Sequence, residues 1–327
     1  MSFMKTLVKL QNIGDDVINR YYPEVMAGKY NEFVEITSHS LYSDINEYLK
    51  GSDISYDLDY NEEDIAALVL SKCNSNYNNH QSMIFGLYTG NLLHILTERN
   101  RDIGKKTRIY INGNGSRFDY LFYKAREVDE LVVENLRGHA ICAGIGYMGN
   151  VDRVFVSNIQ GDNSLMFAGF KGEINLAVGK NLSGRTPFSY LGLRGGHIKL
   201  VVATDIEGEV YLPNISTGQR SSDLVIGRNI KIDDTIYEIL SSKYGQDLVI
   251  SRNIEGDILE DAGWFNSGTF RDVNVVSGNA VIKDYKRILE LHRVEEMLRL
   301  IYSLESSKPE EIFNSLDKIY MIHRSTK

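Results

Sequence analysis

Apolar residues recur at helical spacing through the first fifty positions. Leu7, Leu10, Ile13, Val17 and Ile18 make one stripe, and Phe33, Ile36, Leu41, Ile45 and Leu49 make a second. Residues 53–60 then alternate through Ile54, Tyr56, Leu58 and Tyr60, which predicts a half-exposed strand. Asn61-Glu62-Glu63-Asp64 opens a helix with acid in its first turn, complementing the helix dipole, and that helix ends near Cys73. Residues 81–99 are apolar on most sides, through Met83, Ile84, Leu87, Leu92, Leu93, Ile95 and Leu96, and predict a buried helix. A strand over 108–111 runs into a turn with two glycines. Behind it Phe118, Leu121, Phe122, Ala125, Val128, Leu131 and Val132 keep a 3.6-residue beat, so a helix is expected from about Ser116.

The pattern changes after position 183. Short β-like runs at 198–202, 209–212, 223–226, 230–232 and 247–250 are punctuated by Gly184, Gly192, Gly195, Gly196, Gly208, Gly218 and Gly227, which predicts an antiparallel sheet or small sandwich. The end of the chain turns helical. Ile282, Tyr285, Ile288, Leu289, Val294, Met297, Leu298, Ile301 and Leu304 form one wide stripe, and Ser307-Lys308-Pro309-Glu310 reads as a capping box ahead of a last helix. No internal repeat is read from this pattern. The expected fold class is α/β or α+β in three parts: residues 1–183, a β-rich domain over 184–272, and a helical segment over 273–327.

Composition narrows the function classes. The chain of 327 residues is 43% apolar, enough for real cores, and its net charge of −8 argues against a general nucleic-acid binder, which needs clustered Lys and Arg. Two cysteines, Cys73 and Cys142, supply neither a disulfide framework nor a four-ligand metal site, and no His/Cys/Asp/Glu group has metal spacing. No run of about 18 apolar residues is present, so a cytoplasmic location without a membrane span is expected.

The first candidate site is Gly113-Asn114-Gly115-Ser116-Arg117. Glycines in a turn admit positive φ and let a ligand approach bare backbone, while free N–H groups of a following helix favour an anion. This stretch, with the run from Lys171 through Ala177 to Gly179, resembles the second half of the nucleotide-binding domain of actin-like and heat-shock-chaperone-type ATPases. The resemblance spans roughly residues 25–183. It implies an actin-like, ribonuclease-H-like lobe with ATP or ADP held at Gly113, Asn114, Gly115, Ser116 and Arg117, the arginine lying against the base. That family carries two Asp-x-Gly turns in its earlier half. Here Asp102-Ile103-Gly104 abuts the lead strand and Asp261-Ala262-Gly263 lies on the far side of the turn. The resemblance therefore implies a non-catalytic or half-site nucleotide-binding subunit, completed by another protein subunit or by self-association.

Other motifs carry rival chemistry. Gly144-Ile145-Gly146-Tyr147-Met148-Gly149 spells a dinucleotide fingerprint, but the β-branched run after it predicts a glycine-rich hairpin in place of the required helix. His139 and Cys142, with Asn158 downstream, invite a thiol-peptidase reading. Such an enzyme needs its thiolate at a helix N-terminus ahead of the histidine, and Cys73 falls near a helix C-terminus, so buried small-residue roles are expected for both cysteines. Ser157, Ser221 and Asp223 resemble in order the serine and acid strands of mono-ADP-ribosyltransferases, with NAD as the implied cofactor. Only one of three motif positions matches. A scaffold that binds no small ligand is the third reading.

Overall fold

The structure, a computed structural model, describes residues 3–30, 37–51, 59–208, 222–231, 248–255, 290–304 and 308–326. Four helices come first: α1 (Phe3–Met26), α2 (Thr37–Gly51), α3 (Glu62–Lys72) and α4 (Asn79–Asp102). Seven strands follow: β1 (Arg108–Arg117), β2 (Val128–Arg137), β3 (Asn150–Gln160), β4 (Glu173–Ser183), β5 (His197–Glu207), β6 (Ser222–Lys231) and β7 (Leu248–Glu255). Two helices, α5 (Val294–Tyr302) and α6 (Pro309–Ser325), complete the order.

All seven strands lie in one sheet in sequence order, and every neighbouring pair is parallel. Tyr110 pairs with Val132, Val132 with Phe155, Phe155 with Val178, Val178 with Val202, and Val202 with Ile226, a step of 22 to 24 residues each time. A parallel sheet in sequence order, at that nearly constant step, is a β-solenoid. Each coil is one strand plus one connection, stacked on the coil before it. Three expectations are overturned. The fold is not an actin-like lobe followed by an antiparallel sheet. The sheet runs unbroken across position 183. The chain does repeat, with successive coils aligning Val132-Val133-Glu134-Asn135, Phe155-Val156-Ser157-Asn158 and Val178-Gly179-Lys180-Asn181.

The helix expected behind the glycine turn is absent. Residues 118–125 form the first coil's connection, and Val128, Leu131 and Val132 belong to β2. Their helical beat has a different cause. The connections place alternate residues in the left-handed region, at Tyr120, Phe122 and Lys124 and again at Asn163, Leu165 and Phe167, so apolar side chains turn inward off the period of two. Left-handed backbone disfavours bulky residues by about 1–2 kcal/mol each. Coil-to-coil hydrogen bonds offset this, among them Cys142 N to Leu121 O at 2.8 Å and Leu165 N to Ile141 O at 2.9 Å.

One corner admits only glycine. Gly138, Gly161, Gly184 and Gly208 recur once per coil with φ of 150°, 147°, 142° and 141°. A Cβ on Gly161 would run into the carbonyl oxygen of Gly138, and one on Gly184 into that of Gly161. The glycines that suggested punctuation between antiparallel strands are in part this stacked column. The run from Lys171 to Gly179, which carried the other part of the actin-like resemblance, likewise leads into β4, where Ala177 and Gly179 are buried.

Both sides of the sheet are covered. Ile111, Val133, Val156, Ala177, Val201 and Val225 face the solenoid interior, in a core continuous with α1 to α4. Val132, Phe155, Val178, Val202 and Ile226 form a second core with Met297 and Ile301 of α5 and Leu316 and Ile319 of α6. Burial on both faces explains near-continuous apolar runs such as Leu131-Val132-Val133 and Leu200-Val201-Val202. The N-terminal helices pack on the first coil. Asn61 caps α3 by accepting from Asp64 N at 3.1 Å, as its sequence predicts, and Thr89 of α4 accepts from Phe122 N at 3.3 Å. Arg101, in the last turn of α4, pairs with Asp129 at 2.8 Å. The strand expected over 53–60 and the run at 209–212 lie in the main outside the described residues.

Candidate functional site: an amide-lined groove

The sequence repeat sets Asn135, Asn158 and Asn181 at the same point of successive coils, near the end of β2, β3 and β4. Asp205 and Asn229 continue the row on β5 and β6. Each of the five sits in the left-handed region, with φ between 51° and 56°, a conformation asparagine and aspartate tolerate better than other side chains. Their side chains stack into a ladder. Asn135 Nδ2 donates to Asn112 Oδ1 at 3.2 Å, Asn158 Nδ2 to Asn135 Oδ1 at 3.0 Å, and Asn181 Nδ2 to Asn158 Oδ1 at 2.7 Å. Asp205 has no amide to pass on, and there Tyr302 of α5 reaches across. Asn229 Nδ2 donates to Asp205 Oδ1 at 2.7 Å and to the Tyr302 hydroxyl at 3.3 Å. Burial and the nearby Asp205 carboxylate push the Tyr302 hydroxyl up to about 12.

A groove of about 700 Å³ runs along this ladder, lined by Asn114, Gly115, Asn135, Arg137, Asn158, Gln160, Asn181 and Ser183. A second, of about 530 Å³, lies beside it and contains Asn74, Arg117, His139 and Asp162. Gly115 and Arg137 line both. An amide has two N–H donors and two carbonyl lone pairs. Within the ladder Asn135 and Asn158 each spend one donor and one acceptor on their neighbours, which leaves one of each for whatever lies in the groove. Parallel strands repeat that pair about every 4.8 Å.

The glycine stretch lies at the head of the groove. Gly113 and Gly115 belong to a bulge in β1, where Asn112 pairs with Glu134 but Ser116 already pairs with Leu136. Asn112 Oδ1 accepts from Asn114 N at 3.0 Å and closes the bulge. Gly115 has φ of 77°, and a Cβ on Gly113 would overlap the Leu136 side chain. Ser116 and Arg117 are strand residues, so no helix N-terminus stands behind the turn. Arg117 is tied down by a two-pronged contact to Asp119, at 2.8 and 3.0 Å, while its backbone N–H donates to Asn74 Oδ1.

The remaining candidates are scattered. Ser157, on β3, is buried and donates to Glu134 at 2.8 Å. Asp223, on β6, contacts His197 at 2.9 Å. Three strand spacings, about 14 Å, separate them across the sheet, and the register sets Ser157 level with Arg228, five residues beyond Asp223 along β6, which adds about 16 Å along the strand; Ser221 lies outside the described residues. Residues 144–149 join two parallel strands, so they open neither a helix nor a hairpin. Burial raises the thiols of Cys73 and Cys142. Among the described residues no group of three or more His, Cys, Asp or Glu could hold a metal ion, and no helix is long and apolar enough to cross a membrane.

The ladder is a relation between coils and is not among the motifs that any one segment of the sequence displays. Its signal was present as Asn135, Asn158 and Asn181 at intervals of 23, each preceding a Leu or Ile. These features define a helix-capped β-solenoid with a polar groove across its coils. Comparison with protein-family models, with curated proteins and with solved structures finds no match.

Proposed function

We propose that this chain is a non-catalytic recognition scaffold whose groove takes an extended, polyhydroxylated chain of the oligosaccharide type. The observation that carries this reading is the ladder of Asn112, Asn135, Asn158 and Asn181, with unspent amide donors and acceptors repeated at strand spacing. A sugar hydroxyl is at once donor and acceptor and so matches such a row. A peptide would call for apolar pockets or a free strand edge, whereas Leu136 is the one large apolar residue lining the groove and the rest are amides, Arg137, Ser183 and Gly115. A nucleic acid would call for clustered cations and stacking aromatics, which a net charge of −8 and this lining do not favour.

Calorimetric titration with neutral linear oligosaccharides, alongside ATP, ADP and NAD, tests the reading. Saccharide binding in wild type that is lost in Asn158→Leu while that variant still unfolds cooperatively, and that is weakened in the milder Asn181→Ser, supports it. Heat with a nucleotide alone would return the glycine bulge to the half-site reading. Saccharide binding untouched by either ladder variant would remove the groove as the site.

A further inference from the structure

We propose that the groove selects acidic over neutral saccharide chains and that Arg137 reads their carboxylate; this rests on the reading above and deepens it. Arg137 is exposed at the end of β2 and lines both grooves where they meet. Its Nε donates to the Gly115 carbonyl at 2.9 Å, which fixes the plane of the guanidinium. Among the described residues no carboxylate lies within ion-pair distance of it. Its register neighbour Arg117 is different, being held by Asp119 at 2.8 Å. Its other neighbours in the row, Gln160 and Ser183, are neutral.

Two arginines directly opposite each other on adjacent strands repel, and Asp119 neutralises only one of them. A guanidinium anchored through Nε keeps its two Nη groups for a planar anion, the geometry in which arginine takes a carboxylate with two parallel hydrogen bonds. Gly115 keeps the approach open. A Cβ there would stand 3.8 Å from Arg137 Nη2, on the rim of both grooves. The ladder amides would then hold hydroxyls of the same chain while Arg137 takes the acid of one residue.

Oligogalacturonate and its methyl ester share one backbone and differ in the carboxylate, so titration of both against wild type, Arg137→Gln and Arg137→Lys isolates the proposal. Wild type is expected to bind the acid at least about tenfold tighter than the ester at low salt, the size of a charge-assisted hydrogen-bond pair. Arg137→Gln should bring the two affinities together with ester binding kept, and Arg137→Lys should retain part of the preference. Equal affinities in wild type, or a preference that survives Arg137→Gln, would overturn the assignment while leaving the groove as a saccharide site. Failure of both forms to bind wild type would remove the saccharide reading and this inference together.

Discussion

Asn158 donates its side-chain amide to Oδ1 of Asn135 at 3.0 Å, from a backbone held at φ of 53°. Ladder and backbone therefore make separable demands on the same residue. Asn158→Gly keeps the left-handed backbone and loses the ladder hydrogen bonds, at about 1–2 kcal/mol. Asn158→Ala loses the same bonds and adds about 1 kcal/mol of left-handed strain. The expected order in urea unfolding is wild type, then Gly, then Ala. An alanine variant more stable than the glycine variant would contradict the conformation.

Gly161 carries a different constraint, because a Cβ there meets the carbonyl of the coil below. Gly161→Ala should cost at least about 3 kcal/mol, as strain and displaced backbone combine. Gly28 provides the control. Its φ of 77° is also left-handed, but nothing lies within 4 Å of its would-be Cβ, so Gly28→Ala should cost only about 1 kcal/mol. Comparable losses in the two variants would show that stacking adds nothing.

The helices were readable because their signals are local. Asn61 with Asp64 caps α3, and the all-round apolar residues of α4 are buried as expected. The solenoid was not, for two physical reasons. Left-handed residues such as Phe122 and Leu165 break the alternation that marks a strand, so 118–132 imitated a helix. A sheet buried on both faces also gives continuous apolar runs that say nothing of which strand pairs with which. The candidate site was half legible. The bulge at Gly113 and Gly115 drew notice for its glycines, while the ladder beside it is a relation between coils and becomes visible only once the 23-residue step is seen.

Acid should weaken the N-terminal cap through His94. Burial in α4 pushes its imidazole down to about 4, against an opposing pull from Glu98 at 3.4 Å. The unfolded value is about 6.5, so between those values the unfolded chain binds more protons. The stability contributed by neutral His94 is therefore full above about pH 6.5 and lost as the pH falls toward 4, about 1–3 kcal/mol in all. Glu98 adds the same sign. Burial raises its carboxyl, but Lys50 and His94 more than reverse this and leave it below its ordinary value. Denaturant unfolding at pH 7.5 and pH 5 should show the loss, and His94→Gln should shrink it. An undiminished pH dependence in that variant would place the titrating group elsewhere.

The docking of α6 depends on Glu130, which is fully buried on β2. Its carboxylate accepts from Arg108 Nε at 2.6 Å and pairs with Arg153, itself held by Asp317 of α6 at 2.6 Å. Removing Glu130 takes from the buried Arg153 the one fully buried carboxylate that compensates it and leaves only the part-exposed Asp317 and Asp152, which costs more than the pairing itself contributes. Glu130→Gln is expected to lower stability by about 3 kcal/mol and to raise amide exchange along α6 before the solenoid coils respond. Glu310, whose side chain is 74% exposed and 3.6 Å from Arg108, tests the contrast. Glu310→Gln should change stability by less than about 0.5 kcal/mol, because water screens an exposed pair. If both substitutions proved equally mild, the second core of Val132, Phe155 and Leu316 would be holding α6 without help from the charges beside it.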